Sequence, residues 1–271
     1  MTAARPIGRA RKRFGQHFLH DPAIINRIVE SVALQPGDAA VEIGPGRGAL
    51  TARLLAAAGR LDAIEIDRDL AAALQARLGS APGWVLHSTD ALEFDWRALA
   101  VARGARLRVI GNLPYNISTP LLFRLLAATG SIADMHFMLQ KEVVDRIVAA
   151  PGSRDYGRLS AMLAPRVHAT RLFDVGAGAF APPPRVSSAI VRLVVMENPP
   201  PWACAPIYAE VVAAAFGQRR KTLRNALRHL LAAATIEALG IDPGARAETL
   251  APDQFGALAI AAARATDASI R

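Results

Sequence analysis

Apolar positions in this chain recur in two registers that alternate along its first half. Asp21 followed by Pro22 predicts a capped helix start, and IINRIVESVAL then carries apolar residues at three- and four-residue spacing, a helix expected to end near Leu34. QPGD reads as a turn, AAVEIG as a short buried strand, and ALTARLLAAAG as an apolar helix closed by Gly59. The alternation continues with RLDAIEID, WVLHST, RLRVIG and DMHFMLQ as strands, and with RDLAAALQARLG, WRALAVA, TPLLFRLLAATG, begun by Pro120, and KEVVDRIVAA as helices. Strands alternating with helices of about ten residues are βαβ units, so an α/β class is predicted, doubly wound, with a mostly parallel sheet covered on both faces.

Beyond Gly152 the pattern changes. YGRLSAMLAPRV predicts one more helix, and TRLFDV and SAIVRLVVM, joined by GAGAFAPPPR, predict an antiparallel pair at a sheet edge. ENPPPW, Glu197 to Trp202, is a stiff proline-rich break that few contacts are expected to cross. After it YAEVVAAAF, RKTLRNALRHLL and PDQFGALAIAAARA have helical spacing and no strand signals. The division expected is therefore a basic arm over 1–20, a catalytic domain over 21–198 and a small all-α domain over 202–271.

Composition narrows the class. With 271 residues, 52% of them hydrophobic and 20% charged, the chain can bury a sizeable core, and without low-complexity tracts or solenoid-length repeats it reads as a folded globular protein. MTAARPIGRARKRF lacks a signal-peptide core and no run approaches the ~18 apolar residues of a membrane span, so a cytoplasmic location with no membrane partner is expected. Cys204 is the single cysteine, which excludes an internal disulfide or a cysteine metal cluster; His17, His20, His87, His136, His168 and His229 lack ligand spacing, and no metal is expected.

Charge points to a partner. Thirty-two Lys and Arg against 23 Asp and Glu give +9, which suits a polyanion, nucleic acid first. Lysine occurs only at 12, 141 and 221, so an arginine bias in genome composition would also produce this balance. Distribution says more: Arg5, Arg9, Arg11, Lys12 and Arg13 precede any acid, and Arg219, Arg220, Lys221, Arg224 and Arg228 fall at near-helical spacing, both fit for phosphate contacts.

The chemistry is concentrated at strand exits. VEIGPGRGAL places Gly44, Gly46 and Gly48 between the first strand of the alternation and its helix, where backbone can approach a ligand, and Glu65 follows about 20 residues on, at the position of an acid that meets ribose hydroxyls. A nicotinamide cofactor and S-adenosylmethionine both suit this arrangement, as does a tight structural turn. Asp90, in STDAL, could accept from an adenine amino group. GNLPY then ends the fourth strand. An exocyclic amine is a poor nucleophile because its lone pair is delocalised into the ring. The Asn112 oxygen and the Leu113 carbonyl can accept its two hydrogens, Pro114 stiffens the turn, and Tyr115 can stack on an extruded base.

With these elements in order, the chain resembles the bacterial small-subunit (16S) ribosomal RNA adenine N6,N6-dimethyltransferases. The likeness runs nearly end to end through RKRFGQHFL, VEIGPGRGALT, AIEID, STDAL, GNLPYNIST, LQKEVVDRI, FAPPPRVSSAIVRL and AAFGQRRKTLRNAL. It implies a Rossmann-like S-adenosylmethionine-dependent fold whose N-terminal arm contributes to the cofactor site, and dimethylation of two adjacent adenines near the 3′ end of that RNA. It also implies cofactor contacts from His17, Leu19, Gly44, Gly46, Glu65, Asp90 and Asn112. His17 stands where many relatives have Asn, and either can hydrogen-bond a carboxylate or amide. Catalysis is assigned to Asn112, Leu113, Pro114 and Tyr115, with the Phe180 ring covering the second face of the target adenine, and RNA binding to Arg11, Lys12, Arg13, Arg219, Arg220, Lys221 and Arg224. Direct methyl transfer by a monomer, on the immature small subunit, is the resulting expectation. Large-subunit resistance methylation, a purely assembly role and a nicotinamide oxidoreductase are the alternatives, the last leaving Asn112 to Tyr115 unexplained.

Overall fold

The computed structural model describes residues 17–218 and 220–269, so Arg11, Lys12, Arg13 and Arg219 lie outside the described residues. The strands are β1 (Phe18–Leu19), β2 (Ala40–Ile43), β3 (Leu61–Ile64), β4 (Trp84–His87), β5 (Leu107–Asn112), β6 (Ile132–Gln140), β7 (Val167–Val175), β8 (Phe180–Ala181) and β9 (Ser188–Val195). Two compact units emerge, one over 1–144 and 170–195, the other over 145–169 and 196–271.

In the first unit a seven-stranded sheet runs in the order β4-β3-β2-β5-β6-β9-β7. β2 pairs in parallel with both β3 and β5, β3 with β4, and β5 with β6, whereas β9 runs antiparallel to β6. The predicted edge pair thus forms part of the main sheet, with β7 outermost beside β9. β2 and β3 are buried at every position, as expected of strands covered on both faces. The chain leaves β2 toward β3 on one side and returns as β5 on the other. This is the switch point of a doubly wound sheet, where a crevice opens outside the carboxyl ends of the strands.

Local signals place the first helix as expected. Its Asp21 carboxylate accepts from the Ala23 and Ile24 amides, but it ends at Val32, because Ala33 turns to φ 51° and its amide reaches back to the Val29 carbonyl. The helix after β2 spans Thr51–Ala58 and is closed by Gly59 at φ 74°. β1 and β8 form a separate antiparallel pair with Phe18 opposite Ala181 and Leu19 opposite Phe180, which carries residue 17 to the carboxyl end of β5.

The second unit takes residues 145–169 along with the C-terminal helices, a recruitment that the proline break at Glu197–Trp202 does not announce. The reason is long-range bonding. The fully buried Tyr208 donates its hydroxyl to the Ala161 carbonyl at 2.7 Å, and Gly152 N–H donates to Glu248 at 2.7 Å. Phe216 and Phe255 pack with ring centroids 5.6 Å apart, and Gly256 lies so close to Trp202 that a Cβ there would meet the indole at 2.5 Å. Two expected helices are shorter than their patterns. YGRLSAMLAPRV is helical only over Arg158–Leu163 because Val167 already enters β7, and RKTLRNALRHLL only over Leu223–Ala226, giving way to turns in which Leu230 N–H donates to Leu227.

Candidate active site

Where β2 ends, the loop Gly44–Gly48 crosses the crevice with φ of 63°, 58° and 76° at Gly44, Gly46 and Gly48, a backbone course that side chains resist. At Gly48 a Cβ would also stand 1.9 Å from the end of the Arg77 side chain, which braces the loop by donating to the Arg47 carbonyl at 3.1 Å, so a side chain there would displace that brace.

Glu65 follows β3 directly. One carboxylate oxygen accepts the Gly46 amide at 3.0 Å and the other the Asp67 amide at 2.9 Å, so a single side chain ties the glycine loop to the next strand exit. Burial raises its proton affinity, with the two amides working against that. Asp90 follows β4, its Oδ1 shaping the turn by accepting from Leu92 N–H at 2.9 Å. Two acids and a glycine loop therefore line one side of the crevice, a set of acceptors suited to the hydroxyls and amine of a nucleoside.

The other side is the exit of β5. Asn112 Nδ2 donates to the His17 carbonyl at 3.1 Å, which fixes the amide and leaves its oxygen as the acceptor. Leu113 N–H donates to Met138 at 3.2 Å while its side chain is buried, and the Tyr115 hydroxyl bonds Ser188 Oγ at 2.9 Å. Burial pushes the Tyr115 phenol above its ordinary value, so it stays neutral.

A cavity of about 150 Å³ joins the two sides, and His17, Leu19, Gly44, Gly46, Glu65, Asp90, Asn112, Leu113, Pro114 and Tyr115 all line it. Every predicted cofactor residue and four of the five predicted catalytic ones meet there. Phe180 does not: it is 3% exposed and packs in the core with Leu19, Met138 and Ile190, drawn inward by the pairing of β8 with β1. Arg220, Lys221 and Arg224 are exposed on the second unit. Among the described residues no group of three His, Cys, Asp or Glu is disposed to hold a metal, and no helix is long and apolar enough to cross a membrane.

Sequence reasoning missed several lining residues. Phe18 lies between two predicted contacts, its ring under the Arg47 guanidinium at 4.3 Å, and Ile66, next to Glu65, is 46% exposed although apolar. Ser188, which anchors Tyr115 without lining the cavity, carried no signal, since its role depends on Tyr115 reaching it. Glu42 did carry one, as the lone charge in the buried run AAVEIG. Its Oε2 has no hydrogen-bond partner among the described residues, and burial pushes the carboxyl up to about 7, with Glu65 adding and Thr51 and Arg77 opposing. The unfolded chain ionises Glu42 above about 4.5 while the folded protein keeps it protonated to about 7, so its contribution is intact below 4.5 and is lost as pH rises toward 7. Glu42→Gln is therefore expected to stabilise the protein by ~3 kcal/mol above neutral pH and little in acid, which thermal melts across a pH series would check.

Comparison with known proteins identifies the family and the fold. The sequence profile of a family described as ribosomal RNA adenine dimethylase matches residues 7–264. A ribosomal RNA small subunit methyltransferase A of Nitrosococcus oceani is 54% identical over 255 residues, covering 92% of this chain and 95% of the relative. The protein of the same description from Methylococcus capsulatus is 56% identical over 240 residues, covering 89% and 93%. Among solved structures, a dimethyladenosine transferase from Plasmodium falciparum shares the fold at a TM-score of 0.75 and 23% identity, covering 92% of this chain and 98% of that one. The 23S rRNA methyltransferase ErmE follows at 0.68 and 26%, covering 90% and 98%. A profile that spans the glycine loop, the strand-exit acids and the Asn112 turn alike leaves one assignment: the chain belongs to the ribosomal RNA adenine dimethylase family.

Proposed function

We propose that this protein transfers methyl groups from S-adenosylmethionine to the N6 amines of two adjacent adenines near the 3′ end of small-subunit ribosomal RNA, acting in the cytoplasm on immature small subunits. The observation that carries the reading is the Asn112 amide, whose donor end is held by the His17 carbonyl so that an acceptor remains beside the Leu113 backbone. Relatives above 50% identity over nine-tenths of the chain bear the name of a small-subunit methyltransferase, which supports the choice of RNA.

The residues fit the cofactor. Its nucleoside end is rich in donors, and Glu65 and Asp90 are acceptors at adjacent strand exits; the glycine loop removes side chains where a ligand must pass close to backbone. S-Adenosylmethionine supplies a methyl group made electrophilic by a sulfonium. The chain's task is orientation. Asn112 and the Leu113 carbonyl accept the amine's two hydrogens, which draws its lone pair out of conjugation with the ring, and Tyr115 steadies the base by stacking. No strong base is needed, because the alkylated ammonium is acidic enough to lose its proton to water.

The reading is tested by offering labelled cofactor with unmethylated small subunits and, separately, large subunits, then digesting the RNA. Dimethyladenosine from small subunits alone is the expected product. Label in large subunits would replace the substrate, and label in neither would overturn the enzymatic reading. Reversing Lys221 and Arg224 to Glu is expected to weaken subunit binding and to flatten its dependence on log salt by about one unit per lost phosphate contact, measured by filter binding over a salt series.

A further inference from the structure

Tyr115 carries a ring against it that the proposed reaction does not use. The His17 imidazole stacks on the phenol with centroids 5.7 Å apart and planes 30° from parallel. Its Nδ1–H donates to the Pro182 carbonyl at 2.8 Å, in the FAPPPR loop, while its backbone carbonyl accepts from Asn112. The two partners are held unequally. Tyr115 is pinned at its hydroxyl by Ser188, and its chain continues directly from the buried Leu113, whereas the imidazole has, among the described residues, a single side-chain hydrogen bond.

Two rings with a base between them stand about 7 Å apart, twice the contact distance of carbon atoms. A centroid separation of 5.7 Å admits none. Phe180, the ring that family likeness would set across the base from Tyr115, is packed in the core and does not line the cavity. Among the described residues, the aromatic group that meets Tyr115 is His17.

We propose that His17 is the gate of the target-base slot: its imidazole holds the face of Tyr115 that an extruded adenine requires. Admission of the base rotates the imidazole away, breaking the stack and the bond to Pro182. The His17 carbonyl stays on Asn112, so the amide that must meet the amine keeps its orientation while the slot opens. A base therefore competes with an occupant already in place, and the competition costs the aromatic-pair preference, about three- to tenfold in apparent affinity. This rests on the reading of the cavity as an adenine N6-methylation site.

The test compares wild type with His17→Ala and His17→Asn, the second able to keep a hydrogen bond to Pro182 but not a stacked ring, and measures KM for unmethylated small subunits and for the cofactor separately. Thermal melts establish that both variants fold. Both are expected to lower the subunit KM by about three- to tenfold, and to tighten equilibrium binding of subunits by a similar factor when the demethylated cofactor product is present. Unchanged or raised subunit KM, or a change confined to the cofactor KM, would overturn the gate and leave His17 as a cofactor contact only. Absence of methyl transfer by the wild type would strike the proposed function itself, a result separable from either variant's behaviour.

Discussion

Replacing Asn112 with alanine is expected to lower kcat for methyl transfer by about a hundred- to a thousandfold, the scale of losing one well-placed polar group that acts chiefly in the transition state. The amide does two jobs. It holds residues 17–19 through the His17 carbonyl, and it presents an oxygen to the cavity. Asn112→Asp separates them: it retains an acceptor, loses the donor to His17, and should recover part of the rate while loosening residues 17–19. Single-turnover rates on unmethylated small subunits, with subunit binding measured alongside, check this. A fall in KM effects alone, with kcat intact, would remove Asn112 from the chemistry.

Glu65→Ala is expected to weaken S-adenosylmethionine binding by at least about a hundredfold, since a carboxylate accepting two hydroxyls contributes two charge-assisted hydrogen bonds. Structure adds a second cost, because the Gly46 and Asp67 amides lose their acceptor and the glycine loop loses its tie to β3. Glu65→Gln keeps one acceptor and should fall between. Calorimetric titration with the cofactor measures the loss. Filter binding of small subunits should be nearly unchanged, because Arg220, Lys221 and Arg224, the residues proposed to contact RNA, belong to the other unit, so the variant divides methylation from any role in subunit assembly.

Much of the site could be read from the chain because its signals are local. A glycine run between a strand and a helix, an acid at the next strand exit and an Asn-Leu-Pro-Tyr turn each depend on a few neighbouring residues, and each lies at a carboxyl strand end once the sheet forms. Helix starts at Asp21 and ends at Gly59 follow from capping chemistry of the same short range. Helix lengths were less legible. RKTLRNALRHLL has unbroken apolar spacing, yet the Leu223 and Arg224 amides are taken by Ala245 and Pro243, and the segment turns after one helical turn.

The sequence by itself determined the α/β alternation, the order of the motifs and the chemical character of the crevice, because periodicity and backbone preference act over three or four residues. Tertiary structure alone decided which groups meet across it. His17 reaches Asn112 over 95 positions and Pro182 over 165, Phe180 is withdrawn into the core by a pairing between the two ends of its unit, and 145–169 joins helices that follow it by some 40 residues or more. No propensity encodes such meetings. They arise when burial of apolar faces brings remote segments together and the polar groups thereby taken out of water find whichever partners that packing leaves within reach.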